Sequence, residues 1–131
     1  VLVSLRDEDK ASGAGALRVL QEEGFSLVAT AGTAAYMRER GLDVQPIHKV
    51  REGAPHTESL ISSGEVSLVI ATTRMGDASA VRDSASMRRA ALEAGIPYFT
   101  TVAGARAAAS AIRALRAGEV QPIALQDLHT V

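Results

Sequence analysis

At 131 residues, with 47% hydrophobic and 22% charged side chains, the chain has the composition of one globular domain with a core of its own. Fourteen Lys and Arg against fifteen Asp and Glu leave a formal net charge of −1, and two Phe, two Tyr and no Trp offer few stacking platforms, so neither signal of a nucleic-acid-binding module is present. The absence of cysteine excludes a disulfide scaffold, a cysteine nucleophile and the commonest structural zinc ligands; without a membrane-length apolar run or signal-peptide layout, the expected location is cytoplasmic, with no membrane partner.

Strands and helices alternate along the chain. Residues 1–5 are a buried apolar run, so the chain opens inside a strand without an initiator Met, as a domain taken from a longer polypeptide would. Residues 10–23 read as a helix with Leu17 and Leu20 on its apolar face, stopped at Gly24. Residues 26–30 form a second strand and 33–40 a second helix closed by Gly41. Residues 44–50 form a third strand whose Pro46 suits a sheet edge. A short helix over 56–63 ends at Gly64; a strand over 66–72, a helix over 83–94, a strand over 98–102 and an alanine-rich helix over 103–117 complete the alternation. The tail, 120–131, reads as a short extended piece and a helical turn. Apolar strands separated by helices predict an α/β fold, a doubly wound five-stranded parallel sheet in a three-layer α/β/α sandwich. The chain is read as one domain over residues 1–131.

In such sheets ligands bind beyond the carboxyl ends of the strands. Those ends carry Ser4 and the run Arg6 to Lys10, then Thr30 to Thr33, Lys49, Thr72-Thr73-Arg74 and Thr100-Thr101. Thr30-Ala31-Gly32-Thr33 leads from an apolar strand into a helix, where free N–H groups and the helix dipole attract an anion. Gly32 lets the backbone approach closely, and the two hydroxyls can serve either as caps or as phosphate donors. Lys10 near a helix start opposes the dipole and needs an anionic partner, which Asp7, Glu8 or Asp9 can also supply. His48, His56 and His129 lack metal-ligand spacing, and Gly13-Ala14-Gly15 lacks the third glycine of a dinucleotide fingerprint. Arg106, Arg113 and Arg116 fall on one face of the last helix and are expected to be solvated or packed on a neighbouring domain.

Ser4-Leu5-Arg6-Asp7-Glu8-Asp9-Lys10, Ala29-Thr30-Ala31-Gly32-Thr33 and Lys49-Val50-Arg51-Glu52-Gly53 together resemble the methylglyoxal-synthase-like domain family. Leu68-Val69-Ile70-Ala71-Thr72-Thr73, Arg88-Arg89-Ala90-Ala91 and Ile96-Pro97-Tyr98-Phe99-Thr100-Thr101 extend the likeness, and Gln126-Asp127-Leu128-His129 continues it into the tail. Within the family the chain is most similar to the C-terminal regulatory domain of the carbamoyl phosphate synthetase large subunit. The resemblance implies an allosteric, non-catalytic domain that binds a nucleotide monophosphate such as UMP or IMP. It places effector phosphate contacts at Thr30, Gly32, Thr33, Lys49, Lys10 and Thr73, and ribose or base contacts at Thr72 and Ala71. Ala71 stands where the family pattern commonly has Asn, which removes an amide that would read ribose or base.

The parent enzyme so implied is a glutamine-dependent ligase of pyrimidine and arginine biosynthesis. Its upstream ATP-grasp domains would use ATP with Mg2+ or Mn2+, and K+, beside a glutaminase small subunit; this domain itself would need no cofactor. The last helix is the expected contact with the rest of the subunit or with another copy. The alternatives are a free-standing lyase of the methylglyoxal synthase type, which would lack its general base because Ala54 replaces the Asp, and an architectural domain with a vestigial pocket.

Overall fold

The computed structural model describes residues 1–47, 57–72 and 78–118. Ten elements succeed one another as β1 (Leu2–Ser4), α1 (Asp7–Glu22), β2 (Leu27–Thr30), α2 (Ala31–Glu39), β3 (Val44–Ile47), α3 (Thr57–Ser62), β4 (Val69–Ala71), α4 (Ala78–Ala94), β5 (Tyr98–Phe99) and α5 (Val102–Arg116). The strands form one parallel sheet in the order β3-β2-β1-β4-β5. The winding therefore reverses between β1 and β4, and β3 is an edge strand where Pro46 can sit opposite Ala29 without breaking a central ladder.

Period-two alternation sorts the strand side chains into two cores. Val1, Val3, Leu5, Leu27, Ala29, Leu68 and Ile70 pack with Leu17 and Leu20 of α1, Met37 of α2 and Ala105 and Ala109 of α5. Leu2, Val69 and Ala71 face the other way, onto Ile61 of α3 and Met87, Ala90 and Ala91 of α4. Three helices on one face and two on the other give the expected three layers.

Several boundaries differ from the sequence reading, each for a local reason. The first helix starts at Asp7 rather than residue 10, because Asp7, Glu8 and Asp9 in its first turn complement the positive end of the helix dipole. The second starts at Ala31 rather than residue 33, so Gly32 and Thr33 lie within its first turn and Thr30 is the N-cap. The fourth starts at Ala78 rather than residue 83. Strands β4 and β5 are shorter than the apolar runs that announce them, since pairing stops where each chain leaves the sheet, and residues 48–50 of the expected third strand lie outside the described residues. Helices α1 and α2 both end in Schellman-type caps: Phe25 N–H reaches Leu20 C=O at 3.0 Å, and Leu42 N–H reaches Met37 C=O at 3.1 Å. Each cap needs a left-handed residue, supplied by Gly24 at φ 95° and Gly41 at φ 82°.

Arg106, Arg113 and Arg116 are exposed, as expected for solvated charges, and they also make contacts within the domain. Helix α5 lies along α1, so Arg106 donates to Ser12 C=O at 3.2 Å, Arg113 donates to Glu22 and Glu23, and Arg116 stands 5.1 Å from the Phe25 ring centroid. The two carboxylates push the Arg113 guanidinium pKa up, at an exposed position where such a pair adds little stability. The interior carries the stability instead. Leu20 is fully buried, and Leu20→Ala is expected to lower the unfolding free energy by about 2–5 kcal/mol in a denaturant titration, with the m-value unchanged.

Candidate functional site

Three threonines are the buried polar side chains among the described residues: Thr30, Thr33 and Thr72. All three stand at the carboxyl end of the sheet, beside the reversal between β1 and β4. Their hydroxyls hold the turn that joins β1 to α1. Leu5 N–H donates to Thr33 Oγ1 at 3.0 Å, and Arg6 N–H donates to Thr72 Oγ1 at 2.9 Å. Thr72 N–H in turn donates to Ser4 C=O at 2.9 Å. Thr30 Oγ1 lies 3.4 Å from both Ser4 Oγ and Thr33 Oγ1, completing a hydroxyl cluster between β1 and the start of α2.

The turn so held presents Lys10. Its side chain is only 13% exposed, and its ammonium pairs with Asp7 at 2.6 Å, whose own side chain is 67% exposed. The ammonium also lies against the first turn of α2: a Cβ built on Gly32 would stand 3.2 Å from Lys10 Nζ. Glycine at this position leaves room for the lysine beside the helix terminus, where a Cβ would make the ammonium give by a few tenths of an ångström. Thr30 makes no side-chain cap to α2, whereas Thr101 caps α5 by accepting from Gly104 N–H at 3.0 Å. A helix N-terminus without a side-chain cap and a largely buried cation at the same spot are two positive groups facing each other. Such an arrangement favours an anion between them, held by charge-assisted hydrogen bonds.

Four of the residues singled out in the sequence therefore meet: Thr30, Gly32, Thr33 and Lys10. Thr72 lies across the β1–α1 turn from them, on its β4 side. Ala71 is buried at the end of β4 and packs in the core beneath α3 and α4. Lys49 and Thr73 lie outside the described residues, as do His48, His56, Ala54 and the tail from residue 119 onward. Two residues that the sequence places on the strand-end rim, without a role at the site, have one in the structure. Ser4 joins the hydroxyl cluster, for which a polar residue ending an apolar strand was the available signal. Arg6, pairing with Asp9 at 2.7 Å, enters a cleft of about 350 Å³ with Thr72, Arg88, Thr100, Thr101 and Val102. Arg6, Asp9, Thr72, Thr100 and Thr101 belong to the strand-end rim expected from the sequence, whereas Arg88, which α4 brings to the same cleft, does not. Among the described residues no group of His, Asp and Glu is arranged to hold a metal ion, and no helix is long and apolar enough to cross a membrane.

The structural role of Thr33 is separable from any ligand role. Thr33→Val leaves the Leu5 N–H buried without an acceptor and is expected to cost about 1–3 kcal/mol of stability, while Thr33→Ser keeps the oxygen and most of the stability. Thermal or denaturant unfolding of the two variants checks this.

Comparison with known proteins agrees with the geometry. The family model for the MGS-like domain matches residues 14–100, a stretch that holds Thr30, Gly32, Thr33 and Thr72 but not Lys10. The chain is 50% identical over 125 residues to the carbamoyl phosphate synthase large chain of Rhizobium meliloti, covering 94% of this chain and 11% of that protein. It is 47% identical over 127 residues to the large chain of Brucella suis, covering 97% and 11%. It is also 41% identical over 128 residues to the C-terminal section of the large chain of Methanopyrus kandleri, covering 98% of this chain and 23% of that section. The chain thus spans from about a tenth to a quarter of the length of these relatives. Parallel five-stranded sheet, position of the threonine turn and similarity over nearly the whole length lead to one conclusion: the chain belongs to the MGS-like domain family, in the form that carbamoyl phosphate synthase large chains carry.

Proposed function

We propose that this chain is the regulatory, non-catalytic domain of a carbamoyl phosphate synthase large chain, and that it binds a nucleotide monophosphate such as UMP or IMP by its phosphate. The observation that carries the reading is Lys10, whose side chain is only 13% exposed and whose ammonium lies against Gly32 at the start of α2. A phosphate there would accept from the first-turn amides of α2 and from Lys10, with the Thr30 hydroxyl beside it. Thr33 and Thr72 hold the turn that aims Lys10, while Lys49 and Thr73 are assigned to the same phosphate by family resemblance. Asp7 is the counterion that an incoming phosphate displaces or shares.

Regulation then requires that the effector bind one arrangement of the domain against the catalytic portion more tightly than another, since equal affinity would shift nothing. The catalytic portion, an ATP- and Mg2+-dependent ligase working with a glutaminase subunit, lies in the remainder of the large chain on this reading.

Calorimetric titration tests the site. UMP and IMP are expected to saturate the chain, uridine and inosine to bind at least about tenfold more weakly, and Lys10→Gln to weaken both nucleotides by about tenfold or more. Equal binding of nucleoside and nucleotide, or full affinity in Lys10→Gln, would contradict the reading. The affinity should also rise from pH 5.5 to 7.5, because the phosphate gains its second charge near a pKa of about 6. Incubated with dihydroxyacetone phosphate, the chain is expected to release no inorganic phosphate; turnover would make it a lyase instead.

A further inference from the structure

The unliganded chain already holds an anion on Lys10: its own Asp7. The Asp7 carboxylate lies 2.6 Å from Lys10 Nζ, one turn before it at the start of α1. The two partners differ in their surroundings. Lys10 has only 13% of its side chain exposed, so it gains from a nearby negative charge. Asp7, at 67% exposed, is already well hydrated without the lysine. It also gains from the positive end of α1, which it keeps whether or not it touches Lys10. A carboxylate so placed can release the lysine and lose little. The other two acids of the turn face elsewhere: Glu8, 63% exposed, stands 3.8 Å from the Arg6 guanidinium, and Asp9 pairs with Arg6 at 2.7 Å.

We propose that Asp7 is a built-in competitor for the anion site: it occupies Lys10 in the unliganded chain, and the effector phosphate must displace it. The inference rests on the phosphate reading of Lys10 given above and adds the step that sets the affinity. A dianionic phosphate wins the exchange because it brings a second charge and reaches the amides at the start of α2 as well as the ammonium. Every anion that uses Lys10 meets the same competitor. Its apparent affinity is therefore reduced in proportion to the fraction of chains in which Lys10 is unpaired. An exposed ion pair at the upper end of ordinary strength makes that reduction about three- to fivefold. The pair thus raises the effector concentration at which the site fills, while keeping the lysine neutralised and aimed at α2 before the effector arrives.

Calorimetric titration at about pH 7.5 with UMP, IMP and inorganic phosphate compares Asp7→Asn with Glu8→Gln. Each variant removes one negative charge from the first turn of α1, but only Asp7→Asn removes it from Lys10. Asp7→Asn is expected to tighten all three ligands by the same factor, about three to five, and Glu8→Gln to leave them within about 1.5-fold of the wild type. Both side chains are exposed, so far-UV circular dichroism of the two variants should match the wild type. Unchanged or weaker binding in Asp7→Asn would overturn the proposal and make the carboxylate a support for Lys10. Equal tightening in Glu8→Gln would overturn it as well, since the effect would then be the general field of the turn. Lys10→Gln separates this inference from the reading beneath it. If that variant weakens UMP while Asp7→Asn fails to tighten it, the competitor is refuted and the phosphate site stands; if Lys10→Gln binds at full affinity, the phosphate site itself is refuted.

Discussion

The arrangement of the site depends on how the turn between β1 and α1 is held. Its two backbone N–H groups, at Leu5 and Arg6, leave the end of a buried strand and would be costly to bury unpaired. Thr33, from the first turn of α2, takes one; Thr72, at the end of β4, takes the other. The two acceptors come from opposite sides of β1, which is possible only because the winding reverses there. The turn is therefore clamped at the place where a doubly wound sheet opens a crevice. Arg6 on one side of the turn and Lys10 on the other both inherit their positions from two hydroxyls.

Lys10 shows what that positioning achieves. Left on a freely moving turn, a lysine would swing away from the positive end of α2 into water. Here it is largely enclosed, balanced by a more exposed aspartate, and stands close to Gly32, whose lack of a Cβ leaves it room. The same clamp serves the cleft on the far side, where Arg6 pairs with Asp9 and Thr72 contributes to the wall. Two polar sites thus share one backbone turn.

Much of this was legible in the residues. Continuous apolar strands alternating with helices imply the parallel sheet, Pro46 marks the edge strand, and glycines close the helices because their left-handed backbone completes the caps. The threonine turn and Lys10 were visible as chemistry. What could not be read was the division of labour among the threonines: that Thr33 faces Leu5 and Thr72 faces Arg6 depends on strand order, and strand order is a long-range property. Helix starts were misplaced for a related reason. Acidic residues at 7–9 look like loop chemistry, yet they are favourable in a first helical turn. The arginines of α5 looked free because nothing local reveals that α1 lies beside them to receive them.

The central claim is spatial: the anion site lies at the start of α2, under Lys10, and not in the cleft between Arg6 and Arg88. Backbone amide chemical shifts recorded by nuclear magnetic resonance during a titration with UMP test it most directly. The amides of Ala31, Gly32 and Thr33 are expected to move most, downfield as they begin to donate to phosphate, with Lys10 moving beside them. Shifts concentrated at Arg88, Thr100, Thr101 and Val102, with the start of α2 unmoved, would contradict the claim.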